Sequence, residues 1–334
     1  MTPSSTDLSI IIVNFNSTRV LRDCLRTIVE SELSFPYEVF VIDNDSEEEI
    51  LGLAEEYPFI TLISNDENRG FAYANNIGIK HAHGKYLLLL NPDTIVNSGS
   101  LGPMIAYLES HPNVGIVGCR ILNPSGLVEH STHSFPTLAK EFVHANQFLK
   151  SLMGYDSLLG ILLRKLSLKS IESYWEHDTE KEVDHVTGAC MMVRRDAVEK
   201  AGLLDEAFFL YNEEVEWSYR IRQAGYRSIF LPNSTITHLF GYSTKQQVQK
   251  QVANKLLVER YRGMFYFFQK HYGLLPLTAL RLIVIEGFAL RLAVYYIKYA
   301  NPFSRTPDLL QEIRYLRTII GLAFAKNFDW RVSV

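Results

Sequence analysis

An uninterrupted apolar run, Tyr86-Leu-Leu-Leu-Leu90, ends at Asn91-Pro-Asp93, and this stretch constrains the fold more than any other. Continuous apolar runs, as opposed to alternating ones, are typical of strands in a parallel sheet that helices cover on both faces. In such sheets, ligands bind beyond the carboxyl ends of the strands. The run therefore predicts a buried strand that delivers Asp93 to a ligand-binding edge, although a turn aspartate after a core strand would give the same pattern.

Apolar runs and segments of helical periodicity alternate along the first third of the chain. The runs predict strands over residues 9–13, 38–43, 61–64 and 114–119, and the periodic segments predict helices that start near residues 17, 71 and 100. Ser17 is a candidate helix cap, and Ser46 with Glu49 has the spacing of a capping box. Strands that alternate with helices in this way predict parallel βαβ units.

The second half of the chain is less regular. We expect a helix near residues 138–153, a strand over 183–193, an acidic helix from Glu213 to Ala224, and strands over 226–231 and 235–238. Beyond Lys245 the chain changes to long helical segments rich in Tyr, Phe, Leu and Arg. The sequence therefore predicts an α/β domain followed by a helical extension.

Composition and charge exclude several classes of protein. The net charge of −4 gives no basic excess to neutralise a phosphate backbone, so we expect no nucleic acid partner. Three cysteines lie far apart and match no metal spacing, which indicates a reducing compartment. The polar N-terminus lacks the pattern of a signal peptide. The most apolar stretch, residues 274–299, contains four charged residues, so we do not expect it to span a membrane.

Polar side chains follow the predicted strands at the points where they end. Asn14 and Asp43 end the first two strands, the loop Asn68 to Asn75 leads into a helix, and Asp93 follows the central run. Because the carboxyl ends of parallel strands share one edge, we expect these residues to line one crevice. The turn after the first strand lacks the glycines of a dinucleotide site, which disfavours an enzyme that transfers hydride.

Carboxylates at such an edge can hold a divalent ion that neutralises departing phosphates. Asp93 is the candidate, and His238 is a candidate second ligand, although a lone histidine is more often packed or solvated. Glu213, Glu214 and Glu216 open a helix, where the positive end of the helix dipole favours carboxylates for structural reasons alone. One of these glutamates remains a candidate general base.

Six motifs occur in a fixed order: Ser9-Ile-Ile-Ile-Val-Asn-Phe-Asn-Ser17, Val41-Ile-Asp-Asn-Asp-Ser46, Asn68-Arg-Gly-Phe-Ala-Tyr-Ala-Asn-Asn-Ile-Gly78, Leu90-Asn-Pro-Asp93, Thr187-Gly-Ala-Cys-Met191 and Gly202 to Glu216. Together they resemble the family-2 glycosyltransferases of the GT-A fold, in particular the bacterial rhamnosyltransferase-like branch. The resemblance runs from Ser9 to about Ser243. It implies an α/β fold with a Rossmann-like mixed sheet flanked by helices, and leaves the helical C-terminal extension outside the match.

The resemblance also implies roles for residues of the first two motifs and the loop that follows. Asn14 and Asp43 would hold the nucleotide of a nucleotide diphosphate sugar. Asn68, Gly70 and Asn75 would line the nucleotide-sugar site.

The remaining roles concern metal binding and catalysis. The stretch Asn91-Pro-Asp93 stands at the family's Asp-x-Asp position, so the resemblance implies that Asn91 lies at the donor, that Asp93 carries most of the binding of Mn²⁺ or Mg²⁺, and that His238 completes the metal site. Glu214 takes the place of the family's catalytic aspartate and is one methylene longer. The implied reaction is a single inverting displacement at the anomeric carbon.

We therefore expect a GT-A catalytic domain over residues 1–245, with a donor half to about residue 120 and an acceptor half over 121–245, and a helical extension over 246–334. The first candidate donor is dTDP-rhamnose, with UDP-sugars as alternatives, and the acceptor is a glycan, expected to be lipid-linked. We expect a cytoplasmic protein, whose C-terminal helices contact the inner face of the plasma membrane or, alternatively, the catalytic domain or a second subunit. A non-catalytic sugar-nucleotide binder is one rival. A nucleotidyltransferase is another, but it would need a basic glycine-rich loop near the first strand.

Overall fold

The computed structural model describes residues 6–48, 50, 52–146, 177–239 and 246–325, with the backbone alone for residues 246–254. By its internal packing the chain divides into two units. Unit 1 comprises residues 1–135, 174–208 and 213–242, and unit 2 comprises residues 136–173, 209–212 and 243–334. The expected boundary at residue 245 and the division into donor and acceptor halves stay predictions.

Unit 1 is built on a mixed sheet. The strands of the described residues are β1 (Leu8–Asn14), β2 (Tyr37–Asp43), β3 (Ile60–Ser64), β4 (Tyr86–Leu90), β5 (Thr94–Val96), β6 (Val114–Leu122), β7 (Val128–Glu129), β8 (Thr132–His133), β9 (Lys181–Val183), β10 (His185–Val186), β11 (Cys190–Arg194) and β12 (Arg227–His238). The main sheet has the order β3-β2-β1-β4-β11-β6-β12-β5, with β7 beside β6 and β9 beside β12, while β8 pairs with β10. The predicted α/β class with a mixed sheet is confirmed.

Helices cover both faces of this sheet, which explains why every residue of β1 and β4 is buried. The helices of unit 1 are α1 (Thr18–Glu30), α2 (Leu53–Glu56), α3 (Phe71–His81), α4 (Leu101–Ser110), α6 (Arg195–Ala201) and α7 (Glu213–Gln223). The apolar residues of α1, α2 and α4 join one core cluster, and those of α3, α6 and α7 join the other. Strands β1 to β4 run parallel, so their carboxyl ends meet at one edge.

Of the helix starts predicted at Ser17 and Ser46, the structure contains the first and not the second. Helix α1 begins after Ser17 as predicted, but the Ser17 hydroxyl donates to Asn14 Oδ1 (2.8 Å) and makes no capping bond. The predicted capping box at Ser46 is wrong, because residues 44–48 form no helix and Ser46 Oγ donates to Asp43 Oδ1 (2.6 Å). Its second member, Glu49, lies outside the described residues. Both serine hydroxyls were predicted to cap a helix. Each instead donates to a polar side chain at the end of a strand, Ser17 to Asn14 and Ser46 to Asp43.

The later strands also differ from expectation. The strand predicted over residues 183–193 is divided into β9, β10 and β11. The strands predicted over 226–231 and 235–238 form one strand, β12, whose register against β6 shifts between Leu231 and Thr235. Pro232 lies within this irregularity, as expected for a residue that cannot donate to the ladder. The bulge lets β12 continue as far as His238.

Unit 2 contains α5 (Leu138–Ala145), α8 (Gln246–His271), α9 (Leu274–Ala300), a 3-10 helix (Pro302–Ser304) and α10 (Pro307–Phe324). The helix predicted near residues 138–153 is described as far as Ala145, and its remainder lies outside the described residues. Helices α5 and α9 are in close contact at Gly287, where a Cβ would lie 2.7 Å from the Ala145 carbonyl oxygen. Beside this contact, Asn146 Nδ2 donates to Glu286 Oε2 (3.1 Å). No helix in the described ranges has the length and apolar character needed to cross a membrane.

Gly84 gives a test of packing at the amino ends of β1 and β4. A Cβ at this position would lie 2.5 Å from the Ser9 backbone nitrogen and 2.8 Å from the Leu8 carbonyl carbon, and backbone atoms of a buried strand cannot move aside cheaply. We expect Gly84→Ala to lower the free energy of unfolding by about 1–3 kcal/mol, measured by chemical denaturation. The control is Gly52→Ala, at an exposed position with right-handed backbone and no atom within 4 Å, which should change stability by less than about 1 kcal/mol. Equal effects of the two substitutions would contradict this account.

Candidate active site

Asn14 and Asp43 face each other across β1 and β2 as register partners at the carboxyl edge of the sheet. Asn14 Nδ2 donates to Asp43 Oδ1 (3.0 Å) and to Ser46 Oγ (3.0 Å), and Asn14 Oδ1 accepts from Ser17. Both Nδ2 hydrogens of Asn14 and one lone pair of its Oδ1 are therefore used within the protein. Asp43 Oδ1 accepts two hydrogen bonds, whereas Oδ2 accepts, from the residues that the structure describes, a single long one from the Ser46 backbone (3.3 Å). The structure thus leaves Asp43 Oδ2 as the oxygen with spare capacity to accept from a ligand.

The loop before α3 is shaped by an amide network. Asn68 Oδ1 accepts from Asn44 Nδ2 (2.7 Å) and from the Gly70 backbone nitrogen (3.0 Å), and Asn65 Nδ2 donates to Asn44 Oδ1 (3.0 Å). Gly70 has a φ of +92°, a left-handed conformation that favours glycine, immediately before α3. Asn68 and Gly70 therefore determine the course of the loop. Asn44, buried and central to the network, was not among the predicted site residues, although it directly follows Asp43.

Asn75 lies in the second turn of α3 and is almost fully buried. Its Nδ2 donates to the Phe71 carbonyl (2.9 Å), but Oδ1 has no hydrogen-bond donor among the residues that the structure describes. A buried amide oxygen without a donor is costly, and it marks a place where a ligand hydroxyl or N–H could bind.

Asp93 and His238, separated by 145 residues, meet beyond the ends of β4 and β12. Asp93 Oδ1 lies 3.1 Å from His238 Nε2, and the other ring nitrogen, Nδ1, lies 3.4 Å from Glu129 Oε2. The backbone fixes this meeting, because His238 pairs with Thr94 across β12 and β5 and the Leu239 nitrogen donates to the Asp93 carbonyl (2.7 Å). Glu129, on the two-residue strand β7, is a site residue that the sequence did not indicate.

Electrostatics favour the charged form of this histidine. Burial lowers the pKa of His238, but the hydrogen bond and charge of Asp93, together with those of Glu129, outweigh burial and raise it above the ordinary value. In the described part of the chain, no group of three or more His, Cys, Asp or Glu side chains is arranged to hold a metal ion. Asp93 and His238 could supply two ligands, which suits ions that complete their shell from water and substrate phosphates.

Glu214 lies close to Gly188. A Cβ placed on Gly188 would lie 3.9 Å from the Glu214 Cβ and 3.7 Å from the Phe71 ring, at the start of α3, which are ordinary van der Waals contacts. The Asn91 backbone nitrogen donates to the carbonyl of Ala189 (3.0 Å), the residue after Gly188. Gly188 therefore stands among residues of three other motifs.

The neighbouring Glu213 is a different kind of carboxylate. It is 4% exposed and its Oε2 has no hydrogen-bond partner within the described ranges. Burial, followed by the charge of Glu214, raises the pKa of Glu213 well above its ordinary value, which favours the neutral acid. Just before it, Tyr211 and Asn212 both have left-handed backbone, with φ of +68° and +70°. Two such residues in succession are uncommon and tend to occur at functional sites.

Phe15 and Arg69 at this edge also have exposed side chains, and neither was among the predicted site residues. Phe15 follows Asn14 in the turn after β1, and its side chain is 49% exposed. Arg69, in the loop before α3, stacks on Tyr73 with its guanidinium carbon 3.9 Å from the ring centroid. Both residues stand inside the motifs already quoted, so an aromatic ring and a cation next to the predicted site residues are the sequence signals that could have indicated them.

The sequence profile described as Glycosyl transferase family 2 matches residues 9–202, more than half of the chain. The chain belongs to this family. The match begins in β1 and ends directly after α6, so it includes Asn14, Asp43, Gly70 and Asp93 and stops before Glu214 and His238. The predicted family, fold class and enzyme class, a glycosyltransferase, are confirmed at this level.

Individual relatives of this family-2 chain cover it in part. A hexosyltransferase of low-salt glycan biosynthesis, Agl10 from Haloferax volcanii, is 31% identical over 221 residues, which cover 65% of this chain and 62% of that protein. The chain thus spans less than two thirds of this relative. An N-acetylglucosaminyl-diphospho-decaprenol L-rhamnosyltransferase from Mycobacterium tuberculosis is 25% identical over 231 residues, or 65% and 71% of the two chains. The crystal structure of GalNAc-T7 with UDP, GalNAc and Mn²⁺ is similar in fold, with a TM-score of 0.55, 15% identity, and coverage of 80% of this chain and 48% of that chain.

The raised pKa of Glu213 predicts how stability depends on pH. A carboxyl group whose pKa is higher in the folded state contributes stability below its unfolded pKa of about 4.3, and this contribution is lost as pH rises above that value. Glu213→Gln should therefore raise the midpoint of thermal unfolding relative to wild type at pH 7.5, and much less at pH 4.5. The matched control is Glu199→Gln, an exposed position on α6, which should show no such difference between the two pH values. A destabilising effect of Glu213→Gln at pH 7.5 would show that the ionised carboxylate is needed for folding.

Proposed function

We propose that this chain is an inverting, metal-dependent glycosyltransferase that moves a sugar from a nucleotide diphosphate donor to a hydroxyl group of a glycan. The observation that carries the proposal is the meeting of Asp93 and His238 at the edge where Asn14 and Asp43 also end their strands. An acidic residue at this edge suits a nucleotide, and a carboxylate–imidazole pair suits the ion that accompanies a diphosphate.

The separation of the two side chains supports a shared metal ion. Ligand atoms bound at about 2.1 Å and at right angles to each other lie about 3 Å apart. The distance of 3.1 Å between Asp93 Oδ1 and His238 Nε2 therefore suits a pair of adjacent ligands as well as a direct hydrogen bond. Mn²⁺ or Mg²⁺ bound there would neutralise charge on the departing diphosphate. Glu129, at the other ring nitrogen, would fix the orientation and tautomer of the histidine.

Glu214 is the general base of the proposed reaction. Its carboxylate would take the proton from the acceptor hydroxyl as the oxygen attacks the anomeric carbon, and the bond to the diphosphate would break with its electron pair on the diphosphate oxygen. Attack opposite the leaving group inverts the configuration. Gly188, beside Glu214, leaves room for the acceptor and for the longer glutamate side chain.

The donor would lie along the network described above. Asp43 Oδ2 and Asn75 Oδ1 are acceptors with spare capacity, and they suit the hydroxyl or N–H groups of a nucleotide sugar. The exposed ring of Phe15 suits stacking on a base. Asn68, Gly70 and the backbone of Asn91 would support these contacts by shaping the loops.

The name of the mycobacterial relative supports rhamnose as the first sugar to test and a lipid-linked glycan as the acceptor, and the family resemblance makes dTDP-rhamnose the first donor. The Haloferax relative is named as a hexosyltransferase, so UDP-sugars are tested beside it. A lipid-linked acceptor of this kind suggests a position at the cytoplasmic face of the membrane.

Donor turnover tests the proposal directly. Purified protein with Mn²⁺ or Mg²⁺ is incubated with dTDP-, UDP- and GDP-sugars and a lipid extract as acceptor, and nucleotide release is followed. We expect release from one donor, its loss on chelation, and a decrease of about 10²–10⁴-fold in Glu214→Gln, because a general base contributes that much. Asp93→Ala should lose release to a similar extent, since it removes a metal ligand.

Two variants serve as controls. Glu214→Asp restores the usual residue of the family and should retain far more activity than Glu214→Gln. Asp196→Ala, at an exposed position on α6, should match wild type. Calorimetric binding of a sugar nucleotide without any release would instead identify a non-catalytic binder.

The role of Glu129 gives a separate prediction. Glu129→Gln removes the charge next to His238 Nδ1, so the affinity for Mn²⁺ in the presence of a nucleoside diphosphate should fall about 10–100-fold in calorimetry. Turnover should recover at saturating Mn²⁺, because the ligands themselves remain. Glu182→Gln, which removes a carboxylate paired with Arg227 on β12, is the matched control. Unchanged affinity in Glu129→Gln would exclude a role for Glu129 in orienting His238 for metal binding.

A further inference from the structure

Helix α9 of unit 2 has an apolar outer face. Its exposed positions between Leu275 and Ala300 are, in order, Leu275, Thr278, Leu282, Glu286, Ala289, Leu290, Ala293, Tyr296, Ile297, Lys298 and Ala300. Only two of them carry a charge. Helices at the surface of globular proteins normally expose polar residues and bury an apolar stripe. On α9 the inner face is apolar too, with Leu277, Leu280 and Val284 buried.

The exposed residues form one stripe along the helix. At about 100° per residue, the exposed positions from Leu275 to Ala300, except Lys298, fall within roughly one third of the helix circumference. Leu275, Leu282, Ala289 and Tyr296 recur within it at intervals of seven residues. We call this set, from Leu275 to Ala300 without Lys298, the α9 stripe. A continuous stripe of this kind, about 40 Å long, is a surface for contact and not a scatter of single apolar residues.

Apolar exposure continues beyond the helix. Phe303, in the 3-10 helix after α9, is 97% exposed, and Leu310 and Phe324 of α10 are also exposed. Of the 14 large apolar side chains that are exposed in the described residues, nine lie between Leu274 and Phe324. Exposed apolar surface is therefore concentrated in this part of unit 2.

Exposed basic residues outnumber exposed acidic ones in the same part of the chain. Lys298, Arg305, Arg314 and Arg317 are exposed, against Glu286 and Asp308. Residues 274–334 contain eight Lys and Arg against four Asp and Glu, whereas residues 1–273 contain 25 against 33. The helical end of the chain is thus cationic in a protein that is otherwise acidic.

We propose that the α9 stripe and Phe303 dock on the surface of an anionic lipid bilayer, with α9 lying in the interfacial plane. Apart from Glu286, which accepts a hydrogen bond from Asn146, the α9 stripe is uncharged and carries leucine and aromatic side chains, and Lys298 lies outside it on the same helix, a combination typical of interfacial helices. The excess of positive charge in this part of the chain complements anionic headgroups, each cation near such a surface adding to the attraction. A second copy of this chain would bury the apolar stripe equally well, but the excess of positive charge would then face its own like charge.

The experiment is flotation of the full chain with lipid vesicles, which needs neither donor nor acceptor and so stands apart from the proposed catalytic activity. We expect binding to phosphatidylcholine vesicles that contain a quarter of phosphatidylglycerol, weaker binding to phosphatidylcholine alone, and partial release by salt. Replacement of Leu282, Ile297 and Phe303 by serine together should lower the bound fraction about tenfold or more. Lys298→Gln with Arg317→Gln should weaken binding to the anionic vesicles only.

The controls address folding and self-association. Leu127→Ser removes an equally exposed leucine from unit 1 and should leave vesicle binding unchanged. The thermal unfolding midpoint of each variant shows whether it is folded, since every replaced side chain is exposed. Absence of binding to either vesicle would overturn the proposal. So would a dimer in light scattering that the triple serine variant converts to monomer without any effect of lipid, because the stripe would then be an interface between copies of this chain.

Discussion

The parallel register of β2, β1 and β4 is the constraint on which the rest of unit 1 depends. It sets Asn14 opposite Asp43 and ends β4 one residue before Asn91, so three loops leave the sheet at one edge. Because all three strands are buried, a shift of register would move whole faces of apolar side chains and is strongly disfavoured. The positions of the site residues are therefore fixed by the core, and the Asn14–Asp43 hydrogen bond adds local precision to a geometry that packing already determines.

Two later strands bring distant residues to this edge. Strand β11 runs antiparallel between β4 and β6, so that its start, just after Ala189, lies beside the end of β4. Strand β12 passes a bulge at Pro232 and reaches β5, where His238 meets Asp93. An all-parallel sheet would place the beginning of β11 at the opposite edge. The antiparallel β11 thus brings Gly188 and Ala189 to this edge, whereas β12 runs parallel to β6 and brings His238 there at its carboxyl end.

The sequence predicted the strands well where apolar runs are continuous, because burial on both faces leaves a local signal, as in residues 86–90. It also indicated Asp93 and His238 through a family resemblance. It could not predict that their side chains lie close together, because that depends on pairing between strands far apart in the chain. Glu129 could not be predicted in this way, since β7 has two residues and its partner His238 lies 109 positions away. Ser46 was misassigned because its hydroxyl can satisfy a helix end or a carboxylate, and only the fold decides between them.

The charged residues of α9 explain how a helix whose sequence is interrupted by charge can still expose an apolar stripe. Arg281, Glu286 and Arg291 interrupt the apolar stretch and argue against a spanning helix. In unit 2 each has a partner in a neighbouring element: Arg281 donates to the carbonyl of Ala325, Glu286 accepts from Asn146, and Arg291 lies 3.5 Å from Glu312. These hydrogen bonds and this ion pair hold α9 against the neighbouring segments. Arg281 and Arg291 lie outside the α9 stripe, and Glu286, its one charged member, is hydrogen-bonded to Asn146, so the exposed leucine and aromatic side chains have little other charge among them. The residues that exclude a membrane-crossing helix therefore also hold α9 against the rest of unit 2.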